Sequence, residues 1–308
     1  MVRNGFTDVT GDGRADAVVV NADTVTVRIS SGDDYFGFYP NKDWTHGPYY
    51  GLVDGGVHFA DVDGDRRADA IVVNGDTVTV RPSDGRQFTA NEDWTHGAYY
   101  GTRGTFFADV TGDHRADAIV VNDDTVTVRR SDGTQFTPNE DWTHGAYYGS
   151  RGTYFADVTG DGRADAIVVN DDTVTVRRSD GTQFTPNEDW THGAYYGSRG
   201  TYFADVTGDG RADAIVVNDD TVTVRRSDGT QFTPNEDWTH GAFYGSLGTY
   251  FEDVTGDGTA DAIAVNAGAV TVRPSDGGQF LGNQDWISGG YWGSLHSYVG
   301  GERWDPLF

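Results

Sequence analysis

The amino-acid sequence predicts an all-β fold, a six-bladed β-propeller whose blades are four-stranded antiparallel sheets. A unit of 48 residues recurs almost unchanged and, counting a first copy that is five residues longer, it occurs six times. Each copy contains four short segments with strand patterns, separated by turns rich in Gly and Asp. No segment has the 3.6-residue spacing of apolar side chains that predicts a helix. Repeats of roughly 40–50 residues with four strands each are typical of propeller blades.

The copy at residues 153–200 illustrates the elements in order. Its predicted strands are Thr153–Val158, Ala166–Val169, Thr173–Arg177 and Gln183–Trp190. The second is apolar on both faces, which predicts a strand buried between two sheets. The third alternates with period two, and Asp180-Gly181 after it predicts a tight hairpin turn. Pro186 fits an outer strand because an edge position needs no N–H donor. We expect the Arg that closes the third strand to pair with one of the abundant acids.

The copies are expected to form a single domain over residues 1–308, with repeats that begin near residues 6, 59, 107, 155, 203 and 251. Ser294–Phe308 lies beyond the sixth copy, and its first residues have the pattern of the lead-in to a blade. We therefore expect this segment to close the ring. The alternative architecture is a linear β-solenoid, although its repeating units are usually shorter.

Charge and composition exclude several classes of partner. Asp and Glu total 48 and Lys and Arg total 22, which gives a formal net charge of −26. The negative electrostatic field of a chain with this net charge repels phosphate backbones and anionic lipids, so we expect no nucleic-acid partner and no membrane insertion. The chain has no cysteine, which excludes disulfides and thiolate metal sites. We expect a secreted, extracellular protein; because Met-Val-Arg-Asn-Gly does not resemble a signal peptide, the signal would have been removed or belong to a longer parent chain. The sequence does not determine the oligomeric state.

Every copy contains an acidic loop with carboxylates at loop positions 1, 5 and 9, Thr or Asp at position 3 and usually Gly at position 6. A hard cation such as Ca²⁺ takes about six to eight oxygen ligands from alternate side chains and a backbone carbonyl of such a loop, so we expect Ca²⁺ as the cofactor. The candidate metal ligands, with position 7 contributing its carbonyl, are Asp8, Thr10, Asp12, Arg14 and Asp16; Asp61, Asp63, Asp65 and Asp69; Asp109, Thr111, Asp113 and Asp117; Asp157, Thr159, Asp161, Arg163 and Asp165; Asp205, Thr207, Asp209, Arg211 and Asp213; and Asp253, Thr255, Asp257, Thr259 and Asp261. Arg66 and His114 stand where Gly is expected, which puts the turn geometry of those two loops in doubt. The alternative is that the Asp side chains only cap their own turns.

A second cluster, Asn-Glu-Asp-Trp-Thr-His-Gly-Ala-Tyr-Tyr-Gly-Ser-Arg at residues 187–199, also recurs. Aromatic faces stack on the C–H faces of sugars, while Asp, His and Arg hydrogen-bond to hydroxyls. The candidate ligand-binding residues are Asp93, Trp94, His96, Tyr99 and Tyr100; Asp141, Trp142, His144, Tyr147, Tyr148 and Arg151; Asp189, Trp190, His192, Tyr195, Tyr196 and Arg199; and Asp237, Trp238, His240 and Tyr244. For the Trp residues we favour packing between neighbouring blades, and for the His and the Tyr pair we favour ligand contact.

The run Phe-Ala-Asp-Val-Thr-Gly-Asp-Gly-Arg-Ala-Asp-Ala-Ile-Val-Val at residues 155–169 resembles the FG-GAP/VCBS repeat family, the blade type of integrin α-subunit propellers. The resemblance covers essentially the whole chain. It implies Ca²⁺ between the first and second strands of a blade, most directly in the loops that start at Asp8, Asp157, Asp205 and Asp253. The pattern is also similar to the Psathyrella-type propeller lectins, which implies binding of N-acetylated sugars between adjacent blades. Tyr-Tyr-Gly-Ser-Arg stands here in place of the Gly-Trp-Arg segment of that group.

Near-identical copies favour a multivalent carbohydrate-binding lectin with calcium-stabilised blades, because linked equivalent sites raise avidity for glycoconjugates on cell surfaces. The alternative is an integrin-like adhesion or scaffold module that binds a protein partner, although such recognition generally needs an asymmetric patch. We do not expect an enzyme. Acid–base catalysis needs carboxyl groups whose environments push their pKa values apart, whereas near-identical copies supply similar environments.

Overall fold

The computed structural model describes residues 4–33, 35–51 and 57–293, and this part of the chain consists of strands, turns and loops. Six four-stranded antiparallel sheets follow one another, one for each copy, with strands adjacent in chain order. The predicted fold class, an all-β six-bladed β-propeller, is confirmed. Among these residues no helix is long and apolar enough to cross a membrane. The predicted closing segment, Ser294–Phe308, lies outside the described residues.

The strands of each blade are short. Blade 1 has β1 (Asn4–Thr7), β2 (Asp16–Val20), β3 (Val25–Arg28) and β4 (Lys42–Asp43). Blade 2 has β5 (Val57–Ala60), β6 (Asp69–Val73), β7 (Val78–Arg81) and β8 (Glu92–Asp93). Blade 3 has β9 (Gly104–Ala108), β10 (Asp117–Val121), β11 (Thr125–Arg129) and β12 (Glu140–His144). Blade 4 has β13 (Gly152–Ala156), β14 (Asp165–Val169), β15 (Thr173–Arg177) and β16 (Glu188–His192). Blade 5 has β17 (Gly200–Ala204), β18 (Asp213–Val217), β19 (Val222–Arg225) and β20 (Glu236–Asp237). Blade 6 has β21 (Gly248–Glu252), β22 (Asp261–Val265), β23 (Ala269–Arg273) and β24 (Gln284–Ser288).

The outer strand differs from its prediction. In blade 4 it begins at Glu188, so the expected start at Gln183 was wrong. The Asp180 carboxylate accepts the N–H groups of Thr182 and Gln183, at 2.8 and 2.9 Å, and this capped turn occupies the segment that was expected to extend the strand. The two sides of this turn pair only locally, through a bridge between Ser179 and Phe184 and through backbone hydrogen bonds from Asp180 to Gln183 and from Thr185 to Arg178, at 3.0 and 2.9 Å. Side-chain capping of the turn therefore shortens the strand.

The second strand of each blade is buried on both faces, as its apolar run predicted. The chain divides into two compact units, one with blades 1, 2 and 6 and the other with blades 3, 4 and 5. In the second unit, Ile167 and Val176 of blade 4 belong to one hydrophobic cluster with Phe203 and Val216 of blade 5. Blades 1 and 2 share a similar cluster within the first unit. Apolar burial between consecutive sheets is thus the main stabilising term within each unit.

The acidic loops join consecutive blades through their backbone. The carbonyl of Asp109 in blade 3 accepts the N–H of Ala164 in blade 4 at 2.7 Å. Next to it, the hydroxyl of Ser179 donates to the carbonyl of Val110 at 2.5 Å. The first of these bonds recurs between Asp157 and Ala212, Asp8 and Ala68, and Asp253 and Ala15. The acidic loops are therefore structural joints between blades, whatever else they bind.

Candidate functional site

The first Asp of each acidic loop caps the turn. In blade 4 the Oδ1 atom of Asp157 accepts the N–H of Gly160 at 2.6 Å, and its Oδ2 accepts the N–H of Gly162 at 2.8 Å. These bonds are the ones that the turn-capping alternative requires. Oδ1 also accepts the N–H groups of Thr159 and Asp161, at 3.2 and 3.3 Å, so the acceptor direction that capping leaves for a cation lies on Oδ2.

The last Asp of the loop is buried and engaged on both oxygens. Asp165 has no exposed surface, and it accepts the N–H of Ser179 at 2.9 Å and the N–H of Val158 at 3.3 Å. Burial raises the pKa of Asp165 to about 7, against the opposing effect of the bond from Ser179. The equivalent residues are buried in the same way: Asp16, Asp69, Asp117, Asp213 and Asp261. Position 9 thus ties the acidic loop to the turn that follows the third strand.

Arg66 and His114 preserve the turn that Gly forms elsewhere. Their φ angles are 70° and 65°, close to the 81° of Gly162 at the same loop position. The N–H of His114 donates to Asp109 at 2.7 Å, the same bond that Gly162 makes to Asp157. The doubt raised by these two residues is resolved, since both loops keep the common backbone path. A side chain in this left-handed region costs roughly 1–2 kcal/mol.

Blade 2 has the acidic loop best suited to a cation. Carboxylate oxygens of Asp61, Asp63 and Asp65 all lie within 4.8 Å of one another, and no other described group of acidic or His residues meets this criterion. Partial burial raises the pKa values of Asp61 and Asp63, and repulsion from Asp65 raises them further. Three converging carboxylates supply the kind of oxygen donors that Ca²⁺ prefers.

The other loops bring fewer acidic oxygens together. Position 3 is Thr in those copies, and in blade 4 the hydroxyl of Thr159 donates to Asp157 at 3.2 Å. Asp161 forms an ion pair with Arg163 at 2.5 Å. The predicted ligands of these loops are therefore held by partners within the protein. Asp65 of blade 2 is likewise paired, with Arg67, so what sets blade 2 apart is the third carboxylate, Asp63.

In the polar-aromatic loop of blade 4, the Trp and the first Tyr pack against blade 5. Trp190 is 3% exposed, and its ring meets Phe232 of the next blade edge-on with centroids 5.1 Å apart. Tyr195 is buried, and its hydroxyl donates to the carbonyl of Ala214 at 2.7 Å. The same burial holds for Trp94, Trp142, Trp238, Tyr99 and Tyr147. This agrees with the packing interpretation favoured for Trp, and it leaves little of the first Tyr within reach of a ligand.

The Arg that closes the third strand does not pair with an acid in blade 4. Arg177 donates from Nε to the amide oxygen of Asn187 at 2.5 Å, and its guanidinium stacks on the Tyr147 ring at 4.3 Å. The expected acid pairing was wrong, because the Asn just before the outer strand faces this Arg across the sheet. The Asp that precedes each Trp is also engaged: Asp189 accepts the hydroxyl of Thr175 at 2.9 Å.

The exposed part of the loop contains an arrangement that we call the Arg–Asp–Tyr triad. In blade 4, Arg151 donates from Nε to Asp171 at 2.6 Å and lies 4.3 Å over the ring of Tyr196. In blade 3 the members are Arg103, Asp123 and Tyr148, with 2.7 Å and 4.2 Å for the same two contacts. In blade 5, Arg199 and Asp219 form the same ion pair at 2.7 Å. The exposed His residues of the loop, His96, His144, His192 and His240, follow the buried Trp at the end of the outer segment.

Sequence analysis missed the acidic member of the triad and Arg103. Asp171 lies in the turn between the second and third strands, 20 residues after Arg151. The available signal was the Asn-Asp-Asp turn, which is richer in acids than a turn requires. The equivalent of Asp171 is Ala22 in copy 1, Gly75 in copy 2 and Ala267 in copy 6, so those copies lack the triad.

The triad combines donors, acceptors and an aromatic ring without a net charge. The planar guanidinium is held in place by Asp171 and Tyr196, which leaves its remaining N–H groups available to solvent. The carboxylate offers acceptors beside it. This chemistry suits a neutral molecule with several hydroxyl groups and provides no nucleophile–base pair.

Comparison with known proteins identifies the repeats. Residues 8–72, 109–168, 157–216 and 205–264 match the FG-GAP-like repeat family. The chain belongs to this family. The FG-GAP-like repeats cover most of the described sheets, including the blade 2 acidic loop and the whole triad of blade 4. No curated protein sequence matches the chain.

Several solved structures are similar to this chain in fold. An Agrocybe aegerita lectin that specifically recognises non-reducing terminal N-acetylglucosamine is 22% identical, with a TM-score of 0.65 over 93% of this chain and 80% of the lectin. The Tc holotoxin pore of Photorhabdus luminescens is 17% identical, with a TM-score of 0.62 over 88% of this chain and 13% of the toxin. A chain of the nidogen/laminin complex is 11% identical, with a TM-score of 0.51 over 87% of this chain and 92% of that one. At these identities the likeness establishes the fold alone.

Proposed function

We propose that this protein is a multivalent carbohydrate-binding lectin whose glycan sites lie at the Arg–Asp–Tyr triads of blades 3 and 4 and at the Arg199–Asp219 pair of blade 5. The observation that carries the proposal is the repetition of one arrangement in which an Arg and an Asp, both largely exposed, form an ion pair, with the Arg over a Tyr ring in blades 3 and 4. The fold similarity to an N-acetylglucosamine-binding lectin supports it.

The ligand is expected to be a neutral glycan. The chain carries a formal net charge of −26, so an acidic sugar would be repelled at long range. Within the triad, the Arg already faces an Asp, so little positive charge remains to attract a carboxylate or sulfate. Linked weak sites can raise avidity by about 10²–10⁴ on a glycan-coated surface. Such surfaces are extracellular, which is where we propose that the protein acts.

A glycan array tests this proposal, followed by calorimetry with the best glycan. Replacing Arg103, Arg151 and Arg199 together with Leu, the residue that stands at this position in copy 6, should abolish binding. The matched control replaces Arg130, Arg178 and Arg226 with Leu. These three also form ion pairs with acids, at 2.8 to 2.9 Å, but lie outside the triads. Equal binding by both variants would refute the triad as the glycan site.

We further propose that the acidic loops bind Ca²⁺, which would supply a positive charge among converging carboxylates. The residues of blade 2 fit best: Asp61, Asp63 and Asp65 would hold the ion. Because a ligand that binds only the native state must stabilise it, calcium should raise the Tm and EDTA should lower it. An identical Tm in millimolar Ca²⁺ and in EDTA would contradict calcium binding.

A second candidate function, an adhesion or scaffold module for a protein partner, is favoured by one asymmetric feature. The longer turn of blade 1 exposes Tyr35, Phe36 and Tyr39, with 84% of Tyr35 accessible. Phe38 between them is buried and packs on Trp286 with ring centroids 5.3 Å apart, so the turn is anchored. A blank glycan array together with a protein ligand that no longer binds when the three exposed aromatics are changed to Ala would favour this function over the lectin.

A further inference from the structure

The sixth copy replaces the polar side chains of the exposed loop as a set. At the positions of Arg151, Asp171, His192 and Tyr196 it has Leu247, Ala267, Ser288 and Trp292. Gly290 also replaces the Ala that stands at this position in copies 2 to 5. Every charged group of the triad is therefore absent from this copy, and a larger aromatic ring is present.

Gly290 makes room for the Trp292 ring. A methyl group at Gly290 would overlap the six-membered ring of Trp292, so the Ala of the other copies would force the indole to move. The indole therefore lies against the backbone of its own loop, which restricts its motion. Trp292 nevertheless remains 41% exposed. The two replacements belong together, since the Gly is needed only if the Trp occupies this place.

Trp292 differs in accessibility from the other six Trp residues that the structure describes. The six that end the outer segments are between 2% and 5% exposed: Trp44, Trp94, Trp142, Trp190, Trp238 and Trp286. Four of them, Trp44, Trp142, Trp190 and Trp286, belong to clusters of buried apolar residues, so blade 6 already has its packed Trp in Trp286. Packing therefore does not explain a second, exposed Trp in the same copy.

We propose that blade 6 carries a second class of sugar site, in which Trp292 stacks on the C–H face of a neutral pyranose. The inference rests on the proposed lectin function and extends it to a copy without a triad. Because this copy lacks the Arg and Asp of the triad, it has fewer side chains that form directed hydrogen bonds with the hydroxyl groups of a sugar. Stacking then dominates recognition, and it favours a ring whose substituents are all equatorial, because its axial C–H bonds form a continuous apolar face. The ligand class is a β-glucoside-type glycan.

Cellotetraose is a suitable probe, and fluorescence is a direct readout. In a Trp304→Phe background, which removes the one tryptophan outside the described residues, Trp292 is the accessible indole. Saturating cellotetraose should shift the emission to shorter wavelength and should at least halve the quenching by acrylamide. Unchanged quenching at millimolar cellotetraose would overturn the inference.

Three variants, measured by calorimetry, separate stacking from a structural role. Trp292→Tyr introduces the residue of copies 1 to 5 and should weaken cellotetraose binding about tenfold. Gly290→Ala keeps the indole but displaces it, and it should weaken binding by a similar factor. The double variant recreates the Ala and Tyr of copies 2 to 5, which fold with that pair, so it should fold normally. It should bind cellotetraose no more tightly than Trp292→Tyr does. Wild-type affinity in Trp292→Tyr would refute the site.

The triad variant distinguishes this inference from the proposed function. The triple Arg→Leu variant should lose the array glycans and keep its affinity for cellotetraose; loss of cellotetraose binding would place that sugar at the triads and overturn the inference. Array binding without any cellotetraose binding overturns the inference alone. A Trp292 response with a blank array would instead refute the triad proposal and support the site in blade 6.

Discussion

The hydroxyl of Ser179 is a point at which one side chain joins two blades and an acidic loop. It donates to the carbonyl of Val110 at 2.5 Å and accepts the N–H of Gly181 at 3.1 Å, while only 3% of the residue is exposed. Ser179→Ala removes the hydroxyl and leaves both backbone groups without this partner. An unsatisfied buried polar group costs about 1–3 kcal/mol, so we expect the free energy of unfolding to fall by about 2 kcal/mol.

The loss should be measurable as a change in Tm. With an unfolding entropy of about 2.1 cal/mol/K per residue over the 308 residues, a loss of about 2 kcal/mol lowers the Tm by about 3 °C. Urea denaturation followed by tryptophan fluorescence gives the free energy, and calorimetry gives the Tm. Ser227 makes the equivalent bond to Val158, also at 2.5 Å, so the double variant should lose about twice as much.

Thr182→Ala is the matched control for Ser179→Ala. The Thr182 hydroxyl donates to Asp180 at 2.7 Å, but both residues are exposed, so solvent replaces the lost bond. We expect a change below about 0.5 kcal/mol. If Ser179→Ala were no more destabilising than this control, the acidic loops would not be energetic joints between blades.

The remaining predictions concern the turns, the buried phenol and the acidic group. Gly162→His should cost about 1 kcal/mol, the low end of the range for a side chain in this left-handed region, because His114 already occupies the same turn. Gly162→Val should cost over about 2 kcal/mol, as urea denaturation can check. Tyr195→Phe loses a 2.7 Å hydrogen bond, so it should lower the free energy of unfolding by about 1 kcal/mol without changing glycan affinity. Tyr196→Ala should weaken glycan binding in calorimetry, because this Tyr is exposed. Weaker glycan binding by Tyr195→Phe and unchanged binding by Tyr196→Ala would contradict these roles. Asp63→Thr introduces the residue of the other copies, so it should raise the Tm in EDTA by relieving repulsion and reduce the rise caused by Ca²⁺. An unchanged calcium effect would argue against Asp63 as a ligand.

The architecture was predictable because it is encoded within each copy. A strand such as Asp165–Val169 is apolar enough to be recognised without its neighbours, and near-identical copies must fold in the same way. The start of the outer strand was not predictable to the same degree. Whether Gln183 extends a strand or closes a turn depends on one side-chain cap, at Asp180, whose strength the strand pattern does not show.

The candidate site was only partly predictable. Sequence analysis favoured packing between blades for Trp190, and the buried position of this side chain agrees with that prediction. A Trp that follows Asp at the end of an outer strand commonly packs against a neighbouring blade. The two adjacent residues Tyr195 and Tyr196 could not be distinguished by type, yet one is buried and the other exposed. The role of Asp171 depends on Arg151, which lies 20 residues earlier, before the first strand of the blade, so the pattern of the turn that contains Asp171 does not reveal it.

The sequence by itself determined the number of blades, the strands within them and the repetition of acidic and aromatic loops, because periodicity and turn chemistry are properties of neighbouring residues. Tertiary structure alone decided that Asp165 supports the turn at Ser179 and that Arg151 meets Asp171 and Tyr196. These outcomes depend on contacts between segments that are distant along the chain. Burial and electrostatic partners arise only when such segments meet.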